Sequence, residues 1–70
     1  MVASYKKYEK LRNDAGLTDY EVAKRSGVAT ATLSSWKSEI YHPKLDKIAS
    51  IAQALGCQIG DLIEDPTENE

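Results

Sequence analysis

Few of the 70 residues carry side chains suited to covalent chemistry. Cys57 is the only cysteine and His42 the only histidine, so neither an internal disulfide nor a four-ligand zinc set of Cys and His can form. Ser34 and Ser35 are adjacent hydroxyls, with no His or Lys partner placed to activate them as nucleophiles. A glycine-rich phosphate cradle and a spaced pair of carboxylates are also missing from the sequence. These patterns argue against an enzyme, a cofactor, a metal and a small-molecule substrate. The chemistry left is non-covalent. Thr30, Ala31, Thr32, Ser34, Ser35 and Ser38 gather hydroxyls that donate and accept, and methyls that pack on apolar edges, within nine consecutive residues.

Such a row acts as a unit only on one element, and the apolar spacing around it is helical. At about 100° per residue, Ala29, Leu33 and Trp36 fall on one face of a helix from Thr30 to about Ser38, while Ala31, Ser34, Ser35 and Ser38 fall on the other. The first face reads as core, Trp36 included. The second is small and polar, where a merely solvated helix would more often carry Glu and Lys, so the backbone can come close to another surface. The preceding helix starts at Thr18, which forms a capping box with Glu21, and ends near Ser26, with Gly27 allowing a tight reversal and Val28 pointing inward. Two short helices around a glycine turn are the outline of a helix-turn-helix, whose second helix can enter the DNA major groove.

The remaining segments supply the support. A first helix from Ser4 to Ala15, with Tyr5, Tyr8 and Leu11 on one face, ends at Gly16. A loop through Glu39, Ile40, Tyr41, His42 and Pro43 leads to a helix from Leu45 to Leu55, with Leu45, Ile48, Ile51, Ala52 and Leu55 as its buried stripe and Gly56 as its end. A last short helix near Ile59 to Glu64 offers Ile59, Leu62 and Ile63 to the core or to a second subunit. No alternating run suggests a strand, so the fold class is all-α. Residues 1–64 form one domain, and 65–70 an acidic tail or the start of a linker. A core this small gains from a dimer partner or a ligand.

The chain resembles the DNA-binding domain of the lambda repressor and Cro family, the XRE-type helix-turn-helix regulators. The likeness runs over residues 8–63 through Leu11-Arg12, Gly16-Leu17-Thr18, Val22-Ala23, Ser26-Gly27-Val28, Thr32-Leu33-Ser34, Trp36, Pro43-Lys44-Leu45, the run from Ile51 to Gly56, and Asp61-Leu62-Ile63. It implies a compact five-helix domain that binds double-stranded operator DNA, usually as a homodimer, in a phage- or prophage-type repressor or Cro-like protein. It also implies base reading by Thr30, Ala31, Thr32 and Ser35, with Ser34 and Ser38 beside them. Phosphate contacts are implied at Asp19, Tyr20, Lys37, Ser38, Tyr41, His42 and Lys44. The chain departs from the family pattern at Asp19, where Gln is common, and at Lys37 and Glu39, where Glu and Gly are common. A carboxylate at Asp19 repels phosphate.

Charge is divided. The whole chain carries −2 at pH 7, but residues 1–60 hold all nine Lys and Arg against six acids, while residues 61–70 hold five acids and no base. The basic body suits a polyanion and the acidic end does not, so a rival reading stands: the fold serves as a protein-interaction module, in an antitoxin-like or antirepressor-like subunit. The helix from Thr30 lacks Arg, Asn and Gln, which excludes the bidentate contacts to guanine and adenine. Its hydroxyls and methyls point to a thymine-containing half-site read by shape and methyl contact. Lys6, Lys7, Lys10 and Arg12 read as a solvated face or a basic flank, His42 as solvated or on phosphate, and Cys57 as a small buried apolar group. With no apolar run near the ~20 residues of a bilayer span and a lone thiol, the expected setting is the reducing cytoplasm, away from membranes.

Overall fold

The computed structural model describes residues 2–64. The acidic stretch 65–70 lies outside the described residues. A two-residue strand β1 (Val2–Ala3) leads into α1 (Tyr5–Asp14), α2 (Asp19–Ser26), α3 (Thr30–Lys37) and α4 (Leu45–Leu55), followed by a 3-10 turn (Ile59–Leu62) and a second short strand β2 (Ile63–Glu64).

Local rules set most of the boundaries. Ser4 caps α1, its hydroxyl accepting the Lys7 N–H at 3.3 Å. The capping box of α2 is complete: the Thr18 hydroxyl accepts the Glu21 N–H and Glu21 Oε1 accepts the Thr18 N–H, both at 3.2 Å. Gly27, at φ 78°, closes α2 by donating its N–H to the Ala23 carbonyl at 2.9 Å. The start of α3 has no such support, since Ala29 offers no side-chain acceptor.

The core is one cluster of Tyr8, Val22, Val28, Leu33, Trp36, Ile48, Ile51, Ala52 and Leu62. Its centre is aromatic. The Tyr8 ring lies 5.2 Å from Trp36, and Tyr5 meets Trp36 edge to face at 5.4 Å and Tyr8 at 5.3 Å. These rings bind α1 to α3, and Val22, Ile48, Ile51 and Ala52 complete the cluster from α2 and α4.

Three expectations need correction. Among the described residues there are four α-helices, not five, because the segment after α4 makes only a single 3-10 turn. Gly60 stands inside it, and beyond it the backbone is extended at Ile63 (φ −108°, ψ 138°). The carbonyls that a longer helix would use go elsewhere. The Ser4 N–H donates to Leu62 O at 2.8 Å, and Lys7 Nζ donates to Ile63 O at 2.9 Å. The result is an antiparallel ribbon pairing Val2 with Glu64 and Ala3 with Ile63, so the chain is not purely helical. Second, Leu62 is fully buried and closes the core, which removes it from any subunit interface. Ile59 and Ile63 are half-buried, Ile59 against the core and Ile63 in the ribbon. Third, Leu45 is 65% exposed, because α4 joins the core only from its second turn at Ile48, and Ala29 is exposed because it precedes the helix in extended backbone.

The burial of Leu62 has a measurable consequence. Leu62→Ala should lower the unfolding free energy by about 2 to 5 kcal/mol, the range for a large-to-small change in a packed core. The loss should be the same at low and high protein concentration in denaturant titrations, whereas a residue of a dimer interface would give a concentration-dependent loss.

Candidate nucleic-acid interface

The orientation of α3 follows from two side chains. Leu33 is fully buried and Trp36 is 1% exposed, so the opposite face of the helix must look outward. Thr30, Ala31, Ser34 and Ser38 are exposed there, and Thr32 and Ser35 are half-buried at its margins. All six residues expected to read bases therefore lie along one accessible element or at its C-terminal end. The α2–α3 turn that presents them is fixed by Val28, 3% exposed, whose N–H donates to Ser26 Oγ at 3.1 Å.

The residues expected at phosphate fall into different surroundings. Tyr20, 62% exposed at the start of α2, borders an open cleft with Lys24, Gly27, Ala29 and Thr30. Lys24 is not among the residues that the family resemblance implies at phosphate. It stands four residues after Tyr20 on the same helix face, and that spacing is the signal that would have found it. Lys37 and Lys44 are exposed, and Tyr41 is half-buried against the end of α3. His42 is exposed and borders a separate depression with Tyr5, Lys6, Trp36, Glu39 and Glu64, so it stands apart from the base-reading row.

Asp19 is turned to a different use. Its Oδ1 accepts the Tyr8 hydroxyl at 2.6 Å and Arg12 Nη1 at 2.7 Å, and the Arg12 guanidinium lies 5.7 Å from the centre of the Tyr8 ring. The carboxylate thus ties α2 to α1 with its charge offset by Arg12. Arg12 in turn is no part of a solvated basic face, its side chain being 16% exposed.

The loop after α3 is set by a helix ending of unusual composition. The Glu39 N–H donates to the Trp36 carbonyl at 3.0 Å and the Ile40 N–H to the Ser35 carbonyl at 3.0 Å, the paired pattern of a Schellman motif. The left-handed residue of that motif is Glu39, at φ 61°, where glycine has no steric penalty.

An outward polar face on the second helix of a tight two-helix unit, held by buried apolar anchors, is the geometry of a DNA-reading helix-turn-helix. The sequence pattern of the Cro/C1-type HTH DNA-binding domain matches residues 8–68. The chain belongs to this family. Among curated proteins, the antitoxin HigA1 of Mycobacterium tuberculosis, from strains CDC 1551 / Oshkosh and ATCC 25618 / H37Rv, is 38% identical over 60 residues in each case. The matched region is 86% of this chain and 40% of each relative, so the chain spans less than half the length of these antitoxins. The Cro/C1-type assignment accounts for the helix-turn-helix core. Among the described residues no helix is long and apolar enough to cross a membrane.

Two measurements test this site. Glu39→Gly should raise stability by about 0.5 to 1 kcal/mol, because relief of a left-handed side chain, worth about 1 to 2 kcal/mol, exceeds the added chain entropy of glycine. The Tyr8 phenol is pushed well above the ordinary value of 10.0 by burial and then by its hydrogen bond to Asp19. A group whose folded pKa is raised contributes stability that is complete below its unfolded value and is lost as pH climbs toward the folded one. Denaturation midpoints should therefore fall above pH 10.0, and Tyr8→Phe should be less stable at neutral pH but decline less steeply in alkali.

Proposed function

We propose that this domain is the DNA-binding part of a transcriptional regulator, which lays α3 in the major groove of an operator and represses by occupying it. The observation that carries the reading is the division of α3 into a buried Leu33–Trp36 edge and an accessible row of small hydroxyl and methyl groups. In this reading Thr30, Ala31, Thr32, Ser34, Ser35 and Ser38 face base edges. Tyr20, Lys37 and Lys44 contact phosphate, and Lys24, beside Tyr20 and Thr30, joins them. Asp19 supports the site through Arg12 and Tyr8. With no bidentate base contacts from α3, one domain discriminates weakly, and two copies on half-sites one helical turn apart supply the affinity.

A second reading concerns the biological setting. The likeness to HigA1 favours a DNA-binding domain that serves in an antitoxin-like protein, whose partner is a toxin, over one from a phage-type repressor. The acidic composition of residues 61–70 fits a contact with a protein better than one with DNA. Both settings keep α3 on DNA.

The test is a fluorescence titration of duplexes recovered from a random pool, at low and moderate salt, with Ser34→Glu beside the natural chain. Ser34 is exposed, so folding should be unaffected, while a carboxylate on the groove-facing side should weaken binding at least tenfold. With Lys24, Lys37 and Lys44 on phosphate in each of two copies, the salt slope should be about −5, at about −0.9 per phosphate neutralised. No duplex binding at low salt, or full affinity in Ser34→Glu, would overturn the reading.

A further inference from the structure

Tyr41 was expected at phosphate, but the structure sets it beside the reading helix. The Ser35 carbonyl accepts two N–H groups from the following loop, from Ile40 at 3.0 Å and from Tyr41 at 3.3 Å. This doubled acceptor, together with the left-handed turn at Glu39, folds the loop back on the last turn of α3. Tyr41 thereby becomes one wall of a shallow depression of about 230 Å³ whose other walls are Ala31, Thr32 and Ser35. Thr32, Ser35 and Tyr41 are all half-buried, so their positions are constrained by packing, and the depression is part of the accessible face of α3.

The lining has a definite chemistry. Ala31 and Thr32 offer methyl groups, Tyr41 an aromatic ring, and Ser35 a hydroxyl that both donates and accepts. In the major groove the feature that matches three apolar walls beside one adaptable hydroxyl is the C5-methyl of a pyrimidine next to its 4-substituent. Thymine presents O4 there, an acceptor for the Ser35 hydroxyl. 5-Methylcytosine presents an N4 amino donor, which the same hydroxyl can accept. A purine presents no methyl, and unmethylated cytosine leaves the apolar walls unfilled.

We infer that Tyr41 is a specificity-determining residue, which with Ala31, Thr32 and Ser35 forms a cup for the 5-methyl group of one pyrimidine in each half-site. This rests on the proposal that α3 reads the major groove, and it assigns to the Tyr41 ring the discrimination that α3 alone does not provide. The phenolic hydroxyl has no part in it.

The experiment uses the tightest duplex recovered from a random pool, with each thymine replaced in turn by uracil and, at the responsive position, cytosine compared with 5-methylcytosine. Loss of a methyl group should weaken binding about fourfold at one position per half-site, the equivalent of roughly 0.8 kcal/mol for one buried carbon. 5-Methylcytosine should bind more tightly than cytosine there. Tyr41→Phe should keep this methyl preference and Tyr41→Ala should abolish it, with thermal melting confirming that each variant folds. A methyl preference unchanged in a folded Tyr41→Ala overturns the inference. So does uniform weakening of all duplexes by Tyr41→Phe, which marks a hydroxyl on phosphate. A recovered site indifferent to every uracil replacement also overturns it while leaving the DNA-binding reading intact. Failure to bind any duplex removes that reading as well.

Discussion

The burial of Leu33 and Trp36 is the constraint from which the rest of the arrangement follows. A helix of eight residues has little intrinsic stability and no fixed rotation about its axis. α3 also begins without a side-chain cap. Its place is therefore set by tertiary packing: Trp36 stacks among Tyr5 and Tyr8, and Leu33 fills the cluster shared with α2 and α4. Once these two side chains are inside, Ala31, Ser34 and Ser38 have no choice but to face outward. The polar row owes its exposure to its apolar neighbours, and the direction of causation runs from core to surface.

Electrostatics follows the same hierarchy. In the sequence alone, an acid at the start of α2 is out of place on a surface meant for phosphate. In the folded chain Asp19 has a guanidinium and a phenol at hydrogen-bond distance, and it joins two helices that the apolar core alone would hold less rigidly. Its charge is compensated from within the domain. Lys24, Lys37 and Lys44 are exposed and lie outside the Asp19–Arg12–Tyr8 network, so the positive character of the surface beside α3 survives the presence of the carboxylate.

Much of this was legible in the sequence, and the reasons differ by element. The Thr18–Glu21 box and the glycines at 16, 27 and 56 are local signals, and each marks a boundary in the structure. The inward turn of Trp36 follows from periodicity alone. What periodicity could not reveal was anything decided between distant segments. Leu62 has the same apolar character whether it meets a subunit or a core. Ile63 and Glu64 become extended because Val2 and Ala3, some sixty residues earlier, supply their partners. The role of Asp19 depends on Arg12 and Tyr8 approaching from another helix. The exposure of Leu45 depends on where α4 first meets its neighbours. At the interface, the positions on α3 were readable as a stripe, but the inward folding of Tyr41 came from a backbone reversal that Glu39 gives no reason to expect.

The short ribbon between Val2–Ala3 and Ile63–Glu64 joins the segments farthest apart along the described chain. Closing so long a loop carries an entropic cost that the packing of Leu62 with Tyr8 in the core already meets, and the ribbon adds its backbone pairing to that. A two-residue pairing at the ends of a domain is the kind of element at which partial unfolding begins. Such opening would free the Ser4 N–H from Leu62 and loosen the entry to α1, where Tyr5 packs against Trp36. This seam also borders Trp36 and Glu39, so a fluctuation that begins where the two ends of the domain meet reaches the anchor that orients α3.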